Sequence, residues 1–264
     1  ITMNGMNNTG YIPNGGQTFY PPKYRPEVPT LPYTPCPRVK GIWTPEIHPK
    51  FAGEGFVLIG EPLVEELEGI TPEMLDWFWA NMEKCYFLWA PGAHAGFAWD
   101  PSPAEVGYAG SSELIYEFDL ETPGRMTRQP MEYYPFTECY DHCWLSNRPF
   151  RGGGPEDRMW LIHMYRPIEG GSEWVTARFI KKEFVDIFLK GMEEVKCPPD
   201  HALYESARFK AFLPQMYGIW KDHPDPYQNV RFDLRVKRNP DGTWSHICDN
   251  LPPHLKARQA GGVK

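Results

Sequence analysis

The sequence predicts an α+β fold, and two patterns support that prediction. Helix signals occur near both ends of the folded region, one at Thr71-Pro72 and one at Asp200-His201. Between them, several runs of strand length alternate apolar and polar residues, which is typical of half-buried β-strands. Periodicity alone supports this class and no finer architecture.

Composition excludes two classes of partner. The chain has 264 residues and a formal net charge of −7, and it lacks the clustered Lys and Arg that phosphate binding requires. No run approaches the roughly 20 apolar residues that span a bilayer. We therefore expect no nucleic-acid partner, no membrane segment and a cytoplasmic protein; a homodimer is one possible state.

The cysteines and aromatic residues set further expectations. Six cysteines occur without a repeated spacing, and we interpret them as mostly reduced thiols. The first residues contain neither a basic segment nor an apolar one, so they do not predict secretion. Aromatic residues form 15% of the chain, which suits an apolar pocket for a ring-shaped ligand.

The chain divides into an arm, a body and an extension. Residues 1 to about 40 are rich in Pro, Gly, Asn and Tyr, and we expect an extended arm there. Past residue 217 the sequence becomes polar and proline-rich, and we treat 218–264 as an appendage. The elements expected are a helix from Thr71 to Met82, strands at 85–89, 106–120, 159–166 and 173–180, a helical stretch at 183–196, a helix from His201 to Phe212 that Leu213-Pro214 breaks or bends, and an added strand at 230–236.

The strand around Glu113 carries carboxylates on one face. Glu113, Ile115 and Glu117 share that face, while Leu114 and Tyr116 lie on the other. This arrangement suits a curved sheet whose carboxylate face lines a cavity. Plain solvent exposure of the same face is the alternative.

The second helix offers a pair of metal-ligating side chains. His201 and Glu205 are four residues apart and lie one turn apart on the same face, so they can hold one ion together. Phe209 and Phe212 continue that face, which indicates that the pair points inward. Further ligands must come from elsewhere, and the candidates are His94 and either Glu113 or Glu117.

Other motifs are weaker. Cys139-x-x-His142-Cys143 resembles part of a metal knuckle, but no second Cys/His pair follows at zinc-finger spacing. Gly152-Gly153-Gly154 lacks the preceding strand and the following Lys-Ser/Thr of a phosphate loop. No Gly-x-Ser-x-Gly elbow occurs.

Four segments in order resemble the 2,4-diacetylphloroglucinol hydrolase and phloretin hydrolase family, zinc enzymes that hydrolyse a carbon–carbon bond. They cover about residues 69–217. The segments are Ile70-Thr71-Pro72-Glu73-Met74-Leu75-Asp76-Trp77, Tyr86-x-x-Trp89-x-Pro91-x-x-His94, Leu161-Ile162-His163-Met164-Tyr165-Arg166 with Gly170-Gly171 and Arg178-Phe179, and His201-x-x-x-Glu205 with Phe212-Leu213-Pro214-Gln215-Met216-Tyr217.

The resemblance implies a helix-grip (Bet v 1-like) body, in which a curved antiparallel sheet wraps a long helix, preceded by a smaller N-terminal section. The implied divisions are 1–68 for the arm and N-terminal section, 69–217 for the catalytic body and 218–264 for the C-terminal extension. The implied Zn²⁺ ligands are His94, a strand glutamate, His201 and Glu205. Glu113 is preferred for the strand position, with Glu117 as the fallback.

The resemblance also implies the reaction and its catalytic side chains. The substrate would be a small aromatic polyketide or acylphenol that loses its acyl group in retro-Claisen fashion. Tyr86 matches a tyrosine that holds a ring hydroxyl, and His163 matches a pocket histidine that shuttles a proton or stabilises phenolate. Either Glu205 or Glu113 would accept the proton of the attacking water.

One motif departs from the family pattern. Ala90-Pro91-Gly92-Ala93-His94 lacks an outer histidine and a carboxylate that the family usually shows, which puts the substrate in doubt. Two other functions stay open. One is a cavity protein that binds or isomerises a polyphenol without hydrolysis, and the other is a hydrolase of non-aromatic 1,3-diketones.

Overall fold

Ten strands and six helices make up the described part of the chain in this computed structural model. The described residues are 43–91, 93–117, 123–150, 152–154, 157–224, 230–248, 251 and 256, so the predicted extended arm lies outside them. The helices are α1 (Pro49–Gly53), α2 (Pro72–Ala80), α3 (Tyr86–Trp89), α4 (Pro103–Val106), α5 (Val185–Glu194) and α6 (His201–Trp220). The strands are β1 (Phe56–Leu58), β2 (Leu63–Glu68), β3 (His94–Trp99), β4 (Ser112–Glu117), β5 (Gly124–Arg128), β6 (His142–Pro149), β7 (Arg158–Ile168), β8 (Gly171–Lys181), β9 (Arg235–Arg238) and β10 (Trp244–Ile247).

The strands form one antiparallel sheet in the order β1-β8-β7-β6-β5-β4-β3. Strand β2 also pairs with β8, and β9 joins β6 to β10. The predicted hairpin of β7 and β8 is confirmed, and Gly170 at its turn has φ +80°, a backbone conformation that favours glycine. The predicted start of α2 is confirmed as well, because the Thr71 side chain accepts a hydrogen bond from the backbone of Met74.

Helix α6 lies against the concave face of the sheet. Its buried Phe209 contacts Trp174 of β8, with ring centroids 5.3 Å apart, and also contacts Phe78 of α2 and Trp89 of α3. A curved antiparallel sheet that wraps one long helix is the helix-grip arrangement, so the expected fold is confirmed.

Alternation along the strands decides which side chains face the cavity. On β7, Met159, Leu161 and His163 line the concave side, while Ile162 and Met164 are buried in a second apolar cluster on the convex side. Strand residues point alternately to opposite faces, so the concave side receives one residue in two from each strand.

Four element predictions are wrong. The strands predicted at 106–120 and 230–236 both start later, because Val106 ends helix α4, β4 begins at Ser112 and β9 begins at Arg235. Residues 85–89, predicted as a strand, enter helix α3, because a short, wholly apolar run does not distinguish a strand from a buried helix. Helix α6 continues through Pro214 to Trp220. Proline removes a single backbone hydrogen bond, and the packing of the buried Phe212 and Leu213 holds the helix on both sides of it.

The predicted divisions at 68 and 217 also need correction. Strands β1 and β2 precede residue 69 yet pair with β8 in the main sheet. The C-terminal segment is no appendage, because Val230, Phe232 and Leu234 belong to the same buried cluster as α2 and α6. Within the described residues, every helix is too short or too polar to cross a lipid bilayer. Cys85, Cys139, Cys143 and Cys197 are free thiols.

Shortening Leu234 to alanine tests whether the C-terminal segment is integral to the core. Leu234 is 0% exposed, so Leu234→Ala should lower the free energy of unfolding by about 2–5 kcal/mol. The matched control is Leu189→Ala, at a side chain 47% exposed, which should change it by no more than about 0.5 kcal/mol. Urea denaturation measures both, and equal effects would restore the view of an appendage.

Candidate metal centre and its cavity

The concave face and α6 enclose a cavity. The centres of water-sized molecules can occupy about 60 Å³ of it. This is several times the volume that one ordered water needs, so the cavity suits one compact ligand. Aromatic side chains and ionisable side chains both contribute to its wall. The wall includes Trp79, Tyr86, Trp89, Glu113, Ile115, Glu117, Trp144, Arg148, His163, Arg178, His201 and Glu205.

Four ionisable side chains meet at one end of this cavity. His94, Glu117, His201 and Glu205 each offer one ligand atom, and these atoms lie within 4.8 Å of one another. His94 begins β3 and is paired with Glu117 at the end of β4. His201 and Glu205 come from the first turns of α6, so the sheet edge and the helix start converge here.

The His94 ring is oriented by a backbone hydrogen bond. Its Nδ1 lies 3.0 Å from the Tyr86 carbonyl oxygen, which accepts only, so Nδ1 carries the proton. Its Nε2 faces Glu205 at 2.9 Å and Glu117 at 3.6 Å. An unprotonated Nε2 would bring its lone pair against carboxylate oxygens, so this atom requires a proton or a metal ion between them.

The electrostatics favour an ionised Glu205. Burial alone would raise the pKa of Glu205, but His201 and His94 oppose it and hold that pKa well below its ordinary value. Burial would likewise lower the pKa of His201, but Glu205 outweighs it and the pKa is raised. The His201 Nε2 lies 3.3 Å from Glu205 Oε1. The cluster therefore keeps at least one negative oxygen in the cavity.

Tyr86 links the cavity wall to the cluster. Its ring stacks on His94 with centroids 4.0 Å apart, and its hydroxyl donates to Glu117 Oε1 at 2.8 Å. Burial and the neighbouring Glu117 raise the pKa of Tyr86 well above its ordinary value. The phenol is therefore protonated and can act as a hydrogen-bond donor.

The preference for Glu113 as the strand ligand is corrected in favour of Glu117. Glu113 lines the cavity, but its Oε1 accepts a hydrogen bond of 2.7 Å from the buried Arg128 and stands outside the four-residue cluster. Burial raises the pKa of Glu113, and Arg128 opposes that rise. Both glutamates lie on the predicted cavity face, so that expectation is confirmed.

His163 lies in an aromatic box beside the cavity. Its ring contacts both Trp79 and Trp174, with ring centroids 5.0 Å and 4.8 Å away, and its Nδ1 lies 2.9 Å from Thr176 Oγ1. Burial lowers the pKa of His163 to about 3. The imidazole is therefore neutral near pH 7 and is better suited to donate a hydrogen bond than to act as an acid.

Sequence reasoning assigned no role to two cavity arginines, Arg148 and Arg178. The alternation of residues along β8 could have indicated Arg178 as a cavity residue, because Thr176 and Arg178 lie on the same face of the strand. The Cys139/His142/Cys143 motif holds no metal knuckle, since the His142 ring faces Asp76 at 3.1 Å instead.

Comparisons with known proteins do not show which family the chain belongs to. No protein-family model and no curated protein matches it. Among solved structures, a protein from Arthrobacter aurescens is 11% identical with a TM-score of 0.41, covering 58% of this chain and 87% of its own. Norcoclaurine synthase from Thalictrum flavum is 16% identical with a TM-score of 0.37, covering 66% and 98%. Ara h 8.0201 is 10% identical with a TM-score of 0.35, covering 59% and 99%. Such remote likeness carries no argument about function.

Neutralising Glu113 tests its role as the partner of Arg128. Arg128 is fully buried, so Glu113→Gln leaves its charge uncompensated and should cost about 3–5 kcal/mol of unfolding free energy. Glu117→Gln is the matched control, because the close partners of Glu117 are the neutral Tyr86 phenol and His94 rather than an arginine, and we expect a much smaller loss. Urea denaturation with a chelator present compares them, and equal losses would contradict this assignment.

The buried neutral His163 predicts a specific acid instability. Its pKa is about 3 when folded and near 6.5 when unfolded, so the unfolded state binds the extra proton between these values. Stability from this group is complete above about pH 6.5 and falls by up to about 1.4 kcal/mol per pH unit below it. His163→Gln should flatten that fall in chelator-treated protein, as measured by urea midpoints from pH 7 to 4. An unchanged slope would refute this prediction.

Proposed function

We propose that the protein is a zinc-dependent hydrolase that cleaves the carbon–carbon bond between an acyl group and a polyhydroxylated aromatic ring. The observation that carries this proposal is the cluster of two histidines and two glutamates at one end of an aromatic-walled cavity. The resemblance of the four sequence segments to acylphloroglucinol-type hydrolases supports the same reaction.

The donor set fits zinc. Imidazole nitrogen and carboxylate oxygen are ordinary zinc ligands, and His94 has the outer hydrogen bond that commonly fixes a ligating histidine. Glu205 stays ionised, which a ligating carboxylate must do. A zinc ion bound here would supply Lewis acidity to the acyl carbonyl.

The reaction adds water across the carbon–carbon bond. The hydroxyl of water joins the acyl carbon, the bond to the ring breaks with its electron pair on the ring, and the ring carbon takes a proton. Hydroxyls ortho or para to that carbon delocalise the charge, which is why a phloroglucinol-type ring is required. In this proposal the ionised Glu205 would accept the proton of the attacking water.

Tyr86 and His163 hold the ring in this proposal. The protonated Tyr86 phenol donates a hydrogen bond to Glu117 and can give it to a substrate oxygen instead. The neutral His163 can donate from the ring nitrogen turned away from Thr176 and so stabilise phenolate. Its low pKa replaces the expected proton shuttle with a hydrogen-bonding role.

Metal analysis and an acylphloroglucinol assay test the proposal together. The purified protein should contain about one zinc per chain and release acetate from 2,4-diacetylphloroglucinol. His201→Ala and Glu117→Gln should each weaken zinc binding by more than about 100-fold, since even outer-shell changes cost about 10–100-fold, and should abolish acetate release. His223→Ala, near the opposite end of α6, is the matched control and should retain both.

Three results would separate the alternatives. Full activity in His201→Ala rules out the metal mechanism. Zinc-free protein that binds acylphenols tightly and releases no acid indicates a non-hydrolytic binding protein. Faster cleavage of non-aromatic 1,3-diketones, in a panel of cyclic and acyclic compounds, indicates a diketone hydrolase.

A further inference from the structure

Two arginines reach the cavity from strands on either side of β7. Arg148 of β6 is paired with Met159, and Arg178 of β8 is paired with Leu161. Met159 and Leu161 are successive residues on the cavity face of β7, so the two arginines occupy neighbouring positions on the same concave surface. Both side chains line the cavity.

Neither arginine has a protein counter-ion among the described residues. The buried Arg128, which does not line the cavity, is bound to Glu113, and the surface Arg166 lies 2.8 Å from Glu173. No described carboxylate lies within 4.0 Å of the guanidinium of Arg148 or Arg178. Burial lowers the pKa of Arg178, and the charge of Arg148 lowers it further, so the two positive groups disfavour each other. Both side chains are half-buried, and a half-buried charge without an ion-pair partner favours the binding of a counter-ion.

The cluster carboxylates do not supply that partner. Glu117 and Glu205 act on Arg178 only at a distance, and both face His94. Their two negative charges would neutralise one divalent cation. Once such a cation is bound, the two arginines retain uncompensated positive charge in the cavity.

We propose that Arg148 and Arg178 form an anion-binding end of the cavity and that the physiological ligand carries a carboxylate bound there. An arginine fork matches a carboxylate in shape and charge. The substrate class is therefore an acylated polyhydroxyaromatic acid, with its acyl carbonyl towards the cluster and its carboxylate towards the arginines. Only the acyl end of this assignment rests on the proposed function.

A second cavity offers an approach to the same arginine. It holds about 220 Å³ for water-sized molecules and is lined by Ile59, Glu61, Leu63, Pro199, Ala202 and Leu203. Arg178 and Thr176 line both cavities, so Arg178 stands where the two meet. An anion entering from this side would meet the guanidinium before it meets the cluster.

A matched pair of ligands tests the proposal without requiring turnover. The probes are 3-(3-acetyl-2,4,6-trihydroxyphenyl)propanoate and its uncharged primary amide, which differ only in the charged group. Binding is measured by quenching of tryptophan fluorescence, because Trp79, Trp89 and Trp144 line the cavity. The proteins are the full chain, Arg148→Met, Arg178→Met and, as the matched control, Arg166→Met, whose arginine is half exposed. Each is measured with and without added zinc.

The unaltered chain should bind the carboxylate about tenfold or more tightly than the amide, since hydrogen bonds to charged groups are the strong ones. Arg148→Met and Arg178→Met should each remove most of that preference, and Arg166→Met should keep it. Thermal unfolding checks that each variant is folded, and either cavity variant alone decides the question if the other is unstable.

Several outcomes would overturn the anion site. They are equal binding of acid and amide, no binding of either, or a preference that survives in both cavity variants. A preference lost in His201→Ala but kept in the arginine variants places the carboxylate at the cluster and also overturns it. Acid release is assayed on the same compounds. Preferential binding of the carboxylate without release of acetate supports the anion site and contradicts the hydrolase. Release of acetate without preferential binding supports the hydrolase and contradicts the anion site.

Discussion

The packing of helix α6 into the curved sheet is the constraint on which the candidate site depends. Phe209, against Trp174, fixes the rotation of the helix, and that rotation turns His201 and Glu205 towards the sheet edge where β3 begins and β4 ends. Neither element could assemble the cluster alone, because each contributes two donors. The apolar contacts that stabilise the fold therefore also set the spacing of the ionisable groups.

Sequence patterns predicted what depends on local spacing. The i,i+4 pair on α6, the cavity face of β4 and the β7–β8 hairpin all follow from periodicity, and all are present. The choice between Glu113 and Glu117 was beyond periodicity, because both share a face and tertiary contacts separate them: Glu117 is paired with His94, and Glu113 is bound to Arg128. Helix α3 and the buried C-terminal segment depend likewise on tertiary contacts that no local pattern encodes.

Buried charges in this molecule fall into two kinds. Asp76, which accepts from Tyr165 at 2.7 Å and faces His142, and Glu113, which is bound to Arg128, are satisfied by the protein and are structural. The cavity groups are not balanced in this way, because carboxylates crowd the Nε2 of His94 while Arg148 and Arg178, which line the same cavity, repel each other. Charged groups that lack an ion pair with each other inside one cavity cost stability, and a bound cation and a bound anion would offset that cost.

This separation of charge argues for a ligand with two different ends. A purely apolar ligand would desolvate both ends without neutralising either, so it would bind at a net electrostatic cost. A ligand with a carbonyl or phenolic oxygen at one end and an anion at the other satisfies both, while its ring lies along the aromatic wall of Trp79 and Trp144. The fold supplies a pocket that many functions can use, and the distribution of charge within it narrows the choice.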